Sequence, residues 1–327
     1  MKSPHIEWAL DALNDLGYQL ETLRPQIILE TAWSQVCRFQ TKLGLVYLKK
    51  VPSALSLEIS VIQLLQEQFH ARVPKVFAHN QKLFCFLMQD AGIPLHDVFK
   101  QEFRPNLLID TLHHYTMLQL NSADKINRFL ELGVPDWRLP HLPKLYRQLM
   151  NEEELLIGDG LSQEELKQLK RLEGKLQNFC EQLASFKVPD TFGHADFHDK
   201  NILVNPNNNQ TTLIDLGEVV ITHPFFSFVN CLYRATEFLK LSSTQYRQLQ
   251  EACFKNWLSI ESSVHLFEII SIIQQCWPIH AVLGEYRLIK SIDPLAAESL
   301  CRQGRFSGKL RIWIEQSATL SDKNLNA

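Results

Sequence analysis

The chain has 327 residues, is 45% hydrophobic and carries a formal net charge of −3. That length suits two packed units or one large domain, and the apolar content excludes global disorder. Lys and Arg (33) nearly balance Asp and Glu (36) and form no long run, which excludes a protein built mainly to hold nucleic acid by its phosphates.

The opening stretch, MKSPHIEWALDALNDLGYQL, carries acids and proline where a secretory signal needs an apolar block. Apolar runs such as Leu83–Met88 are too short to span a bilayer, so no membrane partner is expected. Seven widely spaced cysteines (37, 85, 180, 231, 253, 276 and 301) form no C-x-x-C pair. They predict buried, reduced thiols in a cytoplasmic protein, without a disulfide framework or zinc site.

In chain order, ALDALNDLGY predicts a short amphipathic helix, and QIILE, SQVCRFQT and GLVYLKK predict strands. SALSLEISVIQLLQEQF predicts a helix after Pro52, then VPKVFAHN a turn and KLFCFLMQD a strand. DAGIPL (Asp90–Leu95) breaks both periods and marks a connection. Helices dominate beyond it. LLIDTLHHYTMLQL is one, and the segment from Leu161 to Phe186 reads as a single long helix opened by a Ser162/Glu165 capping box. A hairpin and more helix follow. The division expected is 1–89 as one lobe and 90–327 as a larger, mainly helical one.

The hairpin carries the chemistry. ILVN (Ile202–Asn205) and TTLID (Thr211–Asp215) are strand-like, joined by an Asn/Pro turn. Pairing across that turn sets Leu203 near Thr212 and Asn201 near Ile214, with Asp215 at the open end beside Asn201. Asp196 stands five residues before Asn201. Hard oxygen donors of this kind suit Mg²⁺ shared with phosphates. In the spacing His194-x-Asp196-x-x-x-x-Asn201, with Asp215 fourteen residues on, the catalytic aspartate and two metal ligands of phosphoryl transfer have their counterparts.

GHADFHDKNILV…LIDLGE resembles the catalytic hairpin of the aminoglycoside phosphotransferase and choline kinase-like superfamily, with Ala195 at a usual glycine. The resemblance implies an α+β, bilobal, protein-kinase-like fold. In it a small N-terminal antiparallel sheet plus helix precedes a larger, mainly helical C-terminal lobe. It implies a kinase using ATP and Mg²⁺ on a hydroxyl of a small molecule, whether aminoglycoside-like, choline-like or another metabolite. Asp196 is then the catalytic base and Asn201 and Asp215 the metal ligands; His198 is structural. A kinase also needs a strand lysine and a helix glutamate, and Lys49 and Glu58 fill those slots. By resemblance Tyr47, on the Lys49 face of its strand, stacks on adenine. Backbone groups at Gln89–Ala91 bind the adenine edge. No G-x-G-x-x-G precedes the lysine strand, so phosphate contact falls to Ser34. Ser227 stands where relatives carry an acid and is expected to cap the following helix. Trp277, His280, Glu285 and Tyr286 fit either an acidic or an aromatic acceptor pocket, and the acceptor and oligomeric state stay open. A protein-directed kinase and a non-catalytic nucleotide-binding module are the alternatives. The short interval between Asp215 and HPFF disfavours the first, and the full set of catalytic residues disfavours the second.

Overall fold

The computed structural model describes residues 3–300 and 303–324; Cys301, one of the seven thiols, lies outside them. The elements in chain order are α1 (Pro4–Asp15), β1 (Gln26–Glu30), β2 (Gln35–Thr41), β3 (Gly44–Lys50), α2 (Glu58–Phe69), β4 (Val76–Asn80), β5 (Cys85–Gln89), β6 (Ile93–Pro94), α3 (Leu95–Gln101), α4 (Pro105–Ser122) and α5 (Ile126–Glu131). Then come α6 (Leu142–Met150), α7 (Glu153–Gly158), α8 (Gln163–Arg171), α9 (Glu173–Ala184), β7 (Thr191–His194), β8 (Ile202–Val204), β9 (Thr211–Leu213), β10 (Val219–Thr222) and α10 (Phe225–Leu239). The last are α11 (Ser243–Phe254), α12 (Ser263–Lys290), α13 (Pro294–Leu300) and α14 (Ser307–Asn324). This is a mixed α+β chain with an N-terminal antiparallel sheet and a larger helical part. It forms two compact units, Met1–Glu102 with Lys200–Glu218, and Phe103–Asp199 with Val219–Ala327.

In the first unit a five-stranded sheet runs in the order β1-β2-β3-β5-β4, every neighbour antiparallel. Alternation along β2 and β3 turns Cys37, Phe39, Val46 and Leu48 to one face, where Ala9 and Leu13 of α1 close a core with Cys85 and Leu87. The β8–β9 hairpin belongs to this unit because β6 pairs with β8 at Ile93–Val204 and Pro94–Leu203. Gly92 permits that pairing. Its φ is +113°, and a Cβ there would lie 2.1 Å from the Val204 carbonyl oxygen. Gly92→Ala is therefore expected to destabilise the unit by about 2–4 kcal/mol, read as a lowered urea midpoint.

In the second unit β7 and β10 pair antiparallel from His194–Val219 to Thr191–Thr222, surrounded by helices. The segment expected as one long helix is two, α8 and α9, because the Leu172 N–H closes a short turn on Leu169 O and Gly174 follows. The Ser162/Glu165 capping box is present with both of its hydrogen bonds. The expectation that apolar runs are too short for a bilayer needs correction. Helix α12 is long and apolar enough by length and composition, although 67% of its most apolar window is buried in protein. Glu268, Gln274, Gln275 and Pro278 break its apolar run, so only the average over a long helix reveals it. The six described cysteines are buried free thiols.

Candidate active site

Strand β3 carries Lys49 into a buried position, 6% exposed. Its Nζ donates to Glu58 Oε1 at 2.8 Å and to Asp215 Oδ1 at 2.6 Å. Burial alone pulls the ammonium pKa down, but Asp215 and Glu58 together hold it above its ordinary value. Glu58 opens α2 and is 2% exposed; burial pushes its carboxyl up, against the pull of Lys49. Glu58 Oε1 also accepts the Leu216 N–H at 3.1 Å, tying α2 to the residue after Asp215. Asp215 itself holds φ at +61°, a left-handed conformation that a non-glycine residue keeps only when its surroundings impose it.

The hairpin adopts the register expected. Leu203 pairs with Thr212, and the Ile214 N–H donates to Asn201 O at 3.0 Å. Asp215 follows directly. The Leu213 N–H donates to Arg72 O, fixing the second strand on its outer side. Among the described residues no group of three or more His, Cys, Asp or Glu is arranged to hold a metal ion. Asn201 and Asp215 offer one amide and one carboxylate, an all-oxygen set. The Asp215 side chain is 39% exposed. Such a set fits Mg²⁺, which takes one or two protein oxygens and completes its shell with phosphates and water.

Tyr47 is half-buried on β3 between Arg38 and Met88, with Lys49 two residues on and on the same face of the strand. Ser34 lies in the β1–β2 turn, where its N–H donates to Thr31 Oγ1. The Ser34 hydroxyl oxygen is buried and has no hydrogen-bond partner among the described residues. The Gln89 N–H is taken by Lys75 O at 2.9 Å. Beyond it, Asp90 Oδ1 accepts the Gly92 N–H and shapes the turn around Ala91.

Asp196 belongs to the second unit, in the loop after β7. Its N–H donates to His194 Nδ1 at 3.2 Å, and its Oδ2 lies 3.1 Å from His198 Nε2. Phe197, fully buried, stacks on Tyr115 with centroids 4.1 Å apart.

The profile of the phosphotransferase enzyme family matches residues 30–259. The chain belongs to that family. No curated protein sequence matches this phosphotransferase. Solved structures do, at identities that speak to the fold alone. Aminoglycoside phosphotransferase APH(3'')-Id from Streptomyces rimosus, solved with ADP and streptomycin, has a TM-score of 0.55 at 17% identity, covering 88% of this chain and 99% of that one. Choline kinase LicA from Streptococcus pneumoniae has a TM-score of 0.59 at 11% identity, covering 94% and 99%. Ethanolamine kinase from Plasmodium vivax has a TM-score of 0.56 at 14% identity, covering 88% and 84%.

Sequence reasoning missed how this phosphotransferase holds its Asp196 loop. The His194 N–H donates to Tyr115 Oη at 2.8 Å; Tyr115 Oη donates to Ser227 Oγ, and Ser227 Oγ donates to His194 O. Ser227 therefore does not cap α10, whose N-cap is Pro224; it clamps the strand end before Asp196. Asn230, one turn further, donates to Phe197 O at 3.2 Å. The one signal was Ser227, a lone polar residue in the apolar run from Phe225 to Val229. Of the residues considered for an acceptor pocket, His280 is buried against Phe226 and Trp137, and burial pushes its imidazole down to about 3. Glu285 pairs with Arg305 and Lys309, and Tyr286 donates to Glu152. Trp277 packs on Tyr233, centroids 5.0 Å apart.

Proposed function

We propose that this phosphotransferase transfers the γ-phosphoryl group of ATP, with Mg²⁺, to a hydroxyl of a small molecule. The observation that supports it most is the Lys49–Glu58–Asp215 assembly, in which Lys49 and Glu58 are buried and Asp215 is partly exposed. It keeps a permanent cation and an oxygen ligand together, stabilised before any nucleotide arrives. In this reading Lys49 binds the nucleotide phosphates and Glu58 holds Lys49 in place. Ser34 offers its unpartnered hydroxyl to a phosphate oxygen, and Tyr47 stacks on the base. Backbone groups at Gln89–Ala91 meet the adenine edge, with the carbonyl contributing at Gln89 because its N–H is already spent. Asn201 and Asp215 hold Mg²⁺, which supplies charge neutralisation for the phosphates. Asp196 accepts the proton of the acceptor hydroxyl as its oxygen bonds to phosphorus and ADP leaves. The solved relatives act on aminoglycosides, choline and ethanolamine by their names. Hydroxyl compounds of those kinds are the first acceptors to try.

Calorimetric titration with ATP, with and without Mg²⁺, is expected to show binding that strengthens with the metal. An ADP-release screen over kanamycin, choline, ethanolamine, homoserine and simple sugars is expected to find at least one acceptor. Absence of Mg·ATP binding at millimolar concentration overturns the proposal.

A further inference from the structure

The geometry points to His198 as a positioning residue: together with His194 it brackets Asp196, His194 fixing the backbone and His198 the carboxylate. This rests on Asp196 being the base of the proposed function. The motif His194-Ala195-Asp196-Phe197-His198 places a histidine two residues to either side. His194 Nδ1 accepts the Asp196 N–H at 3.2 Å, so that ring nitrogen carries no proton. On the other side His198 Nε2 stands 3.1 Å from Asp196 Oδ2. A carboxylate only accepts, so Nε2 carries the proton and donates. The second ring nitrogen of His198, Nδ1, lies 3.7 Å from Asp199 Oδ1. The imidazole is thus set between two carboxylates.

Burial makes this a constraint rather than a surface contact. The His198 side chain is 10% exposed and that of Asp199 9%, whereas that of Asp196 is 44% exposed. An enclosed ring therefore holds one oxygen of a carboxylate whose side chain is partly open to solvent. Phe197, between them in sequence, is locked by its stack on Tyr115 and by the Asn230 contact to its carbonyl. The peptide carrying both His198 and Asp196 thus has little room to shift. A base works only when its oxygen is already aimed at the proton it takes, and misplacement by about an ångström costs on the order of 100-fold in rate. Removing the ring leaves Asp196 chemically intact but less well aimed. The loss then falls on kcat, because no nucleotide contact is touched.

The test is a double-mutant cycle between His198→Ala and Asp196→Asn, with His198→Gln as the conservative variant. Rates are read as ADP release from Mg·ATP, with whichever compound of the five-class screen is turned over as acceptor. His198→Ala is expected to lower kcat about 10- to 100-fold while the KM for ATP stays within about threefold. His198→Gln, whose amide N–H reaches the same oxygen, is expected to recover most of it. In the Asp196→Asn background, His198→Ala is expected to change kcat by less than about twofold, because its effect passes through Asp196. An equal loss in both backgrounds, or no loss in either, overturns the positioning role. A rise in the KM for ATP without a fall in kcat means that His198 meets the nucleotide, and overturns it too. A second measurement is independent of any acceptor. Long-range ¹⁵N–¹H NMR of the histidines is expected to show His198 protonated at Nε2, with its signal displaced in Asp196→Asn. A bare Nε2 sinks the bracket even in a variant that folds poorly. Failure of the function itself looks different: Asp196→Asn alone then leaves turnover unchanged, whatever His198 does.

Discussion

Asp196→Asn is expected to lower kcat for phosphoryl transfer by roughly 10²–10⁴-fold, the usual worth of a positioned general base. The substitution is isosteric. The backbone N–H at this position would still donate to His194 Nδ1, and the side-chain oxygen of the new amide would still accept from His198 Nε2. The Asp196 side chain is 44% exposed, so no buried charge is created or stranded, and the change in stability is expected within about 0.5 kcal/mol. What is lost is the basic carboxylate and nothing else. The KM for ATP is therefore expected to hold within about threefold, since Lys49 and Asp215 are untouched. Initial rates of ADP release at varied ATP, with urea unfolding on the same preparation, separate the two quantities. A variant that turns over within about threefold of the parent chain removes Asp196 from the chemistry.

The parts of this site legible in the sequence were those written in local order. Hairpin register is one. A two-residue side-chain period and an Asn/Pro turn leave Leu203 opposite Thr212 and Asn201 beside Ile214, and the pairing follows. Lys49 and Glu58, a strand end and a helix start nine residues apart and joined at 2.8 Å, were paired through the kinase resemblance. The third partner, Asp215, lies 166 residues from Lys49, and only the resemblance placed it in the same machinery. Contacts invisible to periodicity were missed. Tyr115 and Ser227 sit on helices whose apolar faces look like ordinary core, yet their hydroxyls meet at the His194 peptide. Ser227 was expected to cap a helix because serine near a helix start usually does. Here Pro224 takes the N-cap, and the hydroxyl satisfies a strand end instead. The break at Leu172 was hidden for a similar reason. Heptad-like spacing of leucines continues through it, and the backbone turn that interrupts the helix leaves no mark on that spacing. The hairpin's place in the first unit was also out of reach, since it depends on two residues, Ile93 and Pro94, pairing across more than a hundred others.

Lys49→Met is expected to abolish Mg·ATP binding and to destabilise the fold together, and a second substitution separates the two effects. Lys49 Nζ pairs with two carboxylates, and Glu58 is 2% exposed with its other oxygen, Oε2, already without a partner among the described residues. Removing the ammonium strands the Glu58 charge in a site that cannot hydrate it. The expected cost is about 3–5 kcal/mol, in part relieved as Glu58 takes up a proton. The ion pairs raise the Lys49 pKa above its unfolded value, so their stabilisation is complete at neutral pH and is lost only as pH climbs beyond about 10.5. The destabilisation of Lys49→Met, read by urea midpoints, is therefore expected to be full at pH 7 and to shrink in strongly alkaline solution. Lys49→Met with Glu58→Leu replaces the pair by apolar groups of similar size. It is expected to return the midpoint to within about 1–3 kcal/mol of the parent chain, since a buried pair contributes little net stability over a packed apolar one and the remaining cost is the Leu216 N–H that loses its Glu58 acceptor. Calorimetry on that restored fold is still expected to show no Mg·ATP binding. Were the double variant to bind nucleotide as the parent does, Lys49 would be a structural ion-pair partner alone and the phosphates would have to be held elsewhere.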